Sequence, residues 1–167
     1  MRLTPIALTV AIALATVASA GHGQKPDDQI DPRSVAMAQE AQGLNAHGKY
    51  QEATDLLETA LAIDPRNRQA YLGLARAAQG QKLPGKAIKF YFDALKLEPN
   101  DVAALAGQGE ALVQRGAVER AKRNLDRIKT LCADPCPQAT TLASVIAKGP
   151  PAEVLTAQRP EVGAPKN

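Results

Sequence analysis

The sequence predicts an all-α superhelix, a solenoid of three helix-turn-helix repeats closed by a C-terminal capping helix. Four observations carry that expectation. Pro65 and Pro99 stand 34 residues apart, and the segments around them, residues 61–67 and 95–101, share one order of apolar, acidic and proline residues. Upstream features recur in the same phase: Ala53 and Ala60 match Ala87 and Ala94, Leu57 matches Tyr91, and Met37 and Ala41 match Tyr71 and Ala75. A third copy continues through Leu105, Gly109, Leu112, Gly116, Ala121, Leu125 and Ile128. A fixed period of this length is the signature of stacked supersecondary units. Finally, the chain has no tryptophan, and its five aromatics all lie between residues 50 and 92. A chain this rich in alanine builds its core by bringing helices close together rather than by filling wide gaps.

The elements follow in order. Residues 1–20 read as a leader: Arg2 is a short positive region, residues 6–17 are apolar apart from two threonines, and Ala18-Ser19-Ala20 is an A-x-A cleavage site. The apolar run falls short of the ~20 residues a spanning helix needs. Cleavage after Ala20 is therefore expected, with the periplasm, or secretion, as the destination. No cysteine lies near the cut, and no other stretch could cross a bilayer, so no stable membrane anchor should remain. Residues 21–30 read as a flexible segment, and the repeat domain spans 31–148. In the first repeat, Asp31 is the candidate N-cap and Pro32 suits the first helical position, where a missing N–H costs nothing. Helices are expected at 32–46, broken by Gly48, and at 50–63, stopped before Asp64-Pro65 because the residue before proline is pushed out of the helical region. The second repeat gives 67–79 and 84–97, and the third 100–114 and 117–131. Such short connections imply antiparallel neighbours. Residues 137–147 form one more helix, with Leu142, Val145 and Ile146 on one stripe. The tail 149–167, with four prolines, reads as disordered.

These residues resemble the tetratricopeptide repeat family, which places a large residue at position 4 of the repeat, small residues at 8, 20 and 27, an aromatic or leucine at 24, and proline at 32. The likeness covers about residues 34–135, as repeats 34–67, 68–101 and 102–135. There are departures. Glu40 and Gln108 stand at position 7, where leucine is usual; Lys82 replaces the usual turn glycine, and Pro84 the usual aromatic. Ile128 occupies the second small position, and the third repeat lacks proline at position 32. Terminal repeats are often atypical because one side faces solvent.

Little in the chain points to catalysis. No Ser/His/Asp set, phosphate-binding glycine loop or carboxylate pair stands out, so neither enzymatic activity nor a cofactor is expected. His22 and His47 read as solvated residues, and no set of four zinc ligands is present. Cys132 and Cys136 form a C-x3-C pair, most simply a disulfide in an oxidising compartment. Its loop is short, so chain-entropy arithmetic gives only roughly 2 kcal/mol; fixing the angle of the capping helix is its more useful effect. A redox-active dithiol is the rival reading, though C-x-x-C is the usual spacing for that chemistry. Loss of Arg2 with the leader takes the basic residues from 20 to 19 against 17 acids, a net charge of +2. That is too small to imply nucleic acid or an anionic membrane as partner. The cluster Arg115, Arg120, Lys122, Arg123, Arg127 and Lys129 reads as a solvated outer face, with docking of an acidic partner as the alternative. Glu119 with Arg123 and Lys122 with Asp126 are its i,i+4 pairs. Phe92 is either a packing residue or an exposed contact.

In the family, helix A side chains at positions 2, 5, 9, 12 and 13 line a concave groove. The resemblance thereby implies a partner-binding groove of Gln42 and Asn45, then Gln69, Leu72, Arg76 and Gln79, then Glu110 and Gln114, with Ala38, Ala106 and Val113 adding apolar floor. One branch of the family clamps a peptide's C-terminal carboxylate with lysine and asparagine. Ala38 stands where the first of those lysines would be, so that clamp is not expected here. The implied function is an exported scaffold that holds a partner's peptide or helix. Self-association through the groove or the outer face, and thiol-disulfide exchange, are its rivals.

Overall fold

The computed structural model describes residues 29–133 and 135–157, without the side chains of Thr156 and Ala157. Among them are eight helices: α1 (Pro32–Ala46), α2 (Tyr50–Ile63), α3 (Arg68–Gly80), α4 (Pro84–Leu97), α5 (Val102–Gln114), α6 (Val118–Leu131), α7 (Pro137–Lys148) and α8 (Ala152–Ala157). The leader and most of the segment 21–30 lie outside the described residues. None of the described helices is long and apolar enough to cross a membrane.

The chain is a stack of antiparallel pairs. Helices α1/α2, α3/α4 and α5/α6 pack within their repeats, and each second helix packs on the first helix of the next repeat. Helix α1 also packs on α3 and α3 on α5, whereas α2, α4 and α6 make no comparable contact with one another. The first helices therefore line the inner face, and the second helices splay on the outer one. Helix α7 lies against both α5 and α6, as a cap should.

Small residues set these distances. Ala41, Ala75, Ala53, Ala87, Ala60 and Ala94 are all fully buried. In the first two repeats the position-24 side chain meets a glycine of the following repeat: a Cβ on Gly73 would lie 2.8 Å from Leu57, and one on Gly107 would lie 2.3 Å from the Tyr91 ring. At the end of the stack, a Cβ on Gly109 would lie 2.7 Å from Leu142 of the cap. Ile128, larger than the family's small residue, is buried in the cluster that α7 closes with Leu142. Two departures at position 7 also have physical reasons. Glu40 faces solvent at the free end of the stack. Gln108 is buried but satisfied: its Nε2 donates to the Ile88 carbonyl at 3.4 Å, and its Oε1 accepts from Asn124 at 3.1 Å.

The joints between repeats carry polar links that double as helix caps. Asn67 caps α3 by accepting from the Ala70 N–H, and its Nδ2 donates to Ser34 at 2.8 Å; Ser34 in turn donates to the Ala60 carbonyl at 2.7 Å. One repeat later, Asp101 caps α5 through the Ala104 N–H and forms an ion pair with Arg68. The third joint offers Val102 and Pro135, which cannot make such a link. There the chain instead brings Cys132 and Cys136 together, with Cα atoms 5.9 Å apart, a span a disulfide bridges. At the free end, the predicted cap is present: Asp31 accepts from the Arg33 N–H at 2.9 Å. The Arg33 guanidinium holds the Asp31 carboxyl down at about 2.

Boundaries differ slightly from expectation. Asn67, Asn100 and Ala117, expected inside helices, precede them; Asn67 is itself a cap, as is Asp101. Helices α3 and α7 each run one residue further. The expected disorder of the tail is corrected over residues 152–157 alone, where a short helix begins after Pro151, past Gly149, whose φ of +76° stops α7; residues 158–167 lie outside the described residues. The Pro151 carbonyl accepts from the Val154 and Leu155 N–H groups.

The turns between paired helices recur at residues 48, 82 and 116, where φ is +75° for Gly48, +59° for Lys82 and +80° for Gly116. A side chain in this left-handed region costs roughly 1–2 kcal/mol. We therefore expect Lys82→Gly to stabilise the protein by ~0.5–1 kcal/mol net of the added chain freedom. Gly107→Ala, which forces a methyl into the buried Tyr91 ring, should destabilise it by about 1–3 kcal/mol. Thermal unfolding followed by circular dichroism checks both, and a neutral Gly107→Ala would contradict the packing described.

Candidate functional site

The inner face presents two adjacent features. Where α1 meets α3, a cleft of about 570 Å³ is lined by Ile30, Val35, Ala38, Gln39, Gln42 and the start of α3, including Gln69. Gln42 and Gln69 are exposed there. Asn45 is half-buried and stitches the two helices, its Nδ2 donating to the Gly73 carbonyl at 3.0 Å; its Oδ1 is buried without a partner.

The second feature is a polar cluster on α3 and α5. Arg76 is exposed, with no hydrogen-bond or ion-pair partner among the described residues. Gln79 accepts from the Tyr91 hydroxyl at 2.7 Å. Burial pushes that phenol up to about 12; the Arg76 charge opposes the shift and the Glu110 charge adds to it. Arg76 and Glu110 thus flank one hydroxyl without closing an ion pair on each other. Glu110 is half-buried, and burial raises its carboxyl above the ordinary value of 4.5. Gln114 is half-buried at the end of α5. A cation, a desolvated carboxylate and amides on one face, with the buried Tyr91 phenol orienting Gln79 from beneath, can offer a polypeptide both donors and acceptors. They hold no nucleophile–base pair. Among the described residues, no group of His, Cys, Asp and Glu could hold a metal ion.

Several expectations need revision. Leu72, expected in the groove as part of its apolar floor, is only 2 % exposed, and Ala38, Ala106 and Val113 are buried as well. Leu72 and Val113 support the floor from beneath and give a ligand no surface of their own. On the outer face, Lys122 pairs with Glu119 at 2.8 Å, an i,i+3 contact, in place of the expected i,i+4 pairs. Phe92 is 56 % exposed, with the Lys96 ammonium 5.5 Å from its ring centre, so it is not a packing residue. His47 is exposed and its Nδ1 lies 2.7 Å from the Gly43 carbonyl. His22 lies outside the described residues. The Tyr91 hydroxyl was missed, since position 24 reads as core. The available signal was tyrosine in place of leucine, because a buried Tyr usually finds a hydrogen-bond partner.

Residues 44–91 match the family model described as tetratricopeptide repeat. Over that span the chain carries the tetratricopeptide repeat pattern. Solved structures with this fold include the Sgt2 tetratricopeptide domain from Aspergillus fumigatus, at 19 % identity and TM-score 0.65, covering 82 % of this chain and 89 % of that one. The Yersinia enterocolitica type III secretion chaperone SycD, in complex with a peptide of the translocator YopD, superposes at 18 % identity and TM-score 0.62, covering 78 % and 99 %. The second tetratricopeptide domain of human RPAP3, in complex with an HSP70 peptide, does so at 23 % identity and TM-score 0.63, covering 69 % and 95 %. Identities of this size establish the fold. No curated protein matches the chain in sequence.

The raised Glu110 carboxyl has a thermodynamic consequence. A desolvated carboxylate penalises the folded state wherever it is ionised, that is, above its folded pKa, and the penalty vanishes below the unfolded value near 4.5. Glu110→Gln should therefore raise the melting temperature at pH 7 and leave it unchanged below pH ~4. A destabilising Glu110→Gln at pH 7 would mean the carboxylate has a structural partner.

Proposed function

We propose that this tetratricopeptide-repeat protein is an exported adaptor that holds a peptide segment or helix of a partner protein on its inner face. The observation that carries the reading is Arg76. It is an unpaired, exposed cation at the middle of the central inner helix, beside a desolvated carboxylate and a buried phenol. Unpaired charge on a concave face is poised for a ligand, and a guanidinium can bind a carboxylate or main-chain carbonyls bidentately. Gln42 and Asn45 on one side and Glu110 on the other would read flanking groups. The peptide complexes of SycD and RPAP3 support the choice of ligand class. A role in assembling envelope machinery is the corresponding biological setting.

Three repeats offer a small surface, so the contact should bury no more than ~1,200 Å² and be of modest affinity. Arg76→Glu should weaken capture of the partner tenfold or more while leaving helical circular dichroism intact. Arg123→Glu, on the outer face, should change capture little. Loss of capture with Arg123→Glu but not with Arg76→Glu would move the site to the outer face.

The export reading rests on Arg2, the short apolar run and Ala18-Ser19-Ala20, and it makes a disulfide the natural state of Cys132 and Cys136. Protein recovered from the periplasm should have an intact mass beginning at Gly21 and no thiol titratable after unfolding without reductant. Replacing both cysteines with serine should speed hydrogen exchange in α7 before the rest of the stack. A full-length cytosolic chain, or two free thiols, would refute the assignment.

A further inference from the structure

The outer face is polarised by charge along the stack. The repeat 34–67 has five acids and two bases, a net charge of −3, whereas 68–101 and 102–135 come to +3 and +2. On α2, Glu52, Asp55 and Glu58 are exposed at i, i+3 and i+6; Glu52 pairs with Lys49, Asp55 accepts from Gln51, and Glu58 has no ion pair among the described residues, although it lines a cleft with Lys86 and Lys89 of α4. On α6, Arg120, Arg123 and Arg127 are exposed at i, i+3 and i+7, which places them on one face. None pairs with a carboxylate among the described residues; Arg127 instead donates to the neutral Asn100 side chain at 3.1 Å. The exposed Leu131 follows on the same helix.

We infer that α2 of one copy docks on α6 of a second copy, so that the protein associates head to tail through its outer face. The charges choose this occupant: the chain itself carries the complementary row, at the opposite end of the stack and on the equivalent outer helix. An acidic end and a basic end on one molecule cannot neutralise each other within a rigid stack, but they can between molecules. The contact is heterologous, and it propagates as an open array unless its rotation closes a ring. It leaves the inner face free and is independent of the groove reading. Exposed charge pairs are individually weak and screened by salt, so the association should be low in affinity and sensitive to ionic strength. Arginine favours bidentate carboxylate contacts over the diffuse attraction a lysine row would give.

The experiment is a charge swap read by sedimentation and light scattering from about 10 μM to about 1 mM at low salt. The wild-type average mass should rise with concentration and return to the monomer value near 0.5 M salt, where the Debye length falls to only a few Å. The triple variants E52K/D55K/E58K and R120E/R123E/R127E should each stay monomeric, and an equimolar mixture should associate again because the rows are exchanged. The neutral variant R120Q/R123Q/R127Q should also stay monomeric, which keeps the test valid should either reversal lose its helical circular dichroism. A wild-type protein that is monomeric throughout would overturn the inference and leave the arginine row to an acidic polypeptide, an anionic membrane or nucleic acid. So would association that survives the reversals, or a mixture of folded variants that fails to restore it.

Discussion

A missing side chain governs the geometry of this molecule. At Gly73 and Gly107 the first helix of a repeat comes close enough to the preceding outer helix for Leu57 and Tyr91 to occupy the space a Cβ would need. Alanines at the other contact points hold the paired helices at a matching distance. The stack therefore gains burial from proximity rather than from large side chains, which is why five aromatics suffice for the whole chain. Close packing of this kind tolerates little added volume, since interiors are already as dense as organic crystals.

Apolar packing alone does not determine how far one repeat rotates on the next, and the polar joints supply that direction. Ser34 with Asn67 and Arg68 with Asp101 are equivalent pairs, one neutral and one charged. In each, the residue that caps a helix also reaches back to the start of the previous repeat, so helix initiation and repeat stacking share the same atoms. Valine and proline at the third joint remove this option, and the cysteine pair lies next to it, with Cys136 directly preceding α7. Cys136 occupies the place in the period held by Ser34 and Arg68. The capping helix is thus a repeat's first helix in register, with a cysteine pair beside its start where the earlier joints have a polar link.

Much of this was legible in the sequence because the cues are local and stereochemical. Proline at 32, 84 and 137 marks three helix starts, Asp64-Pro65 marks a stop, and the 34-residue recurrence orders the pairs. The errors fell where a residue's environment depends on a neighbouring repeat. Leu72 sits at a groove position by phase, yet its side chain turns into the core that Tyr91 helps to build. The Tyr91 hydroxyl reaches the groove from an outer helix, so counting groove positions on inner helices could not find it. The acidic partner of Lys122 was misassigned because spacing alone permits both i+4 and i−3 pairing. The short helix α8 was hidden by the prolines around it, which suit a first turn as well as they suit a loop.

The repeat itself supplies a way to separate structure from function. Positions 41, 75 and 109 are alanine, alanine and glycine, all buried, because the packing is the same in each copy. The next positions, 42, 76 and 110, are glutamine, arginine and glutamate. They occupy equivalent places on three successive inner helices, under the same backbone constraints, and yet they are neutral, cationic and anionic. The helix packing that recurs every 34 residues does not itself call for three different charges on the inner face, in contrast to the joints, where Ser34 and Arg68 differ because their partners Asn67 and Asp101 differ with them. A departure of this kind is what a contact touching the three repeats unequally would produce. A ligand lying across the inner face does so, since each repeat then meets a different part of it. The desolvated Glu110 strengthens the argument: a carboxylate held above its ordinary pKa works against stability, and a neutral glutamine of nearly the same shape already stands at the equivalent position 42.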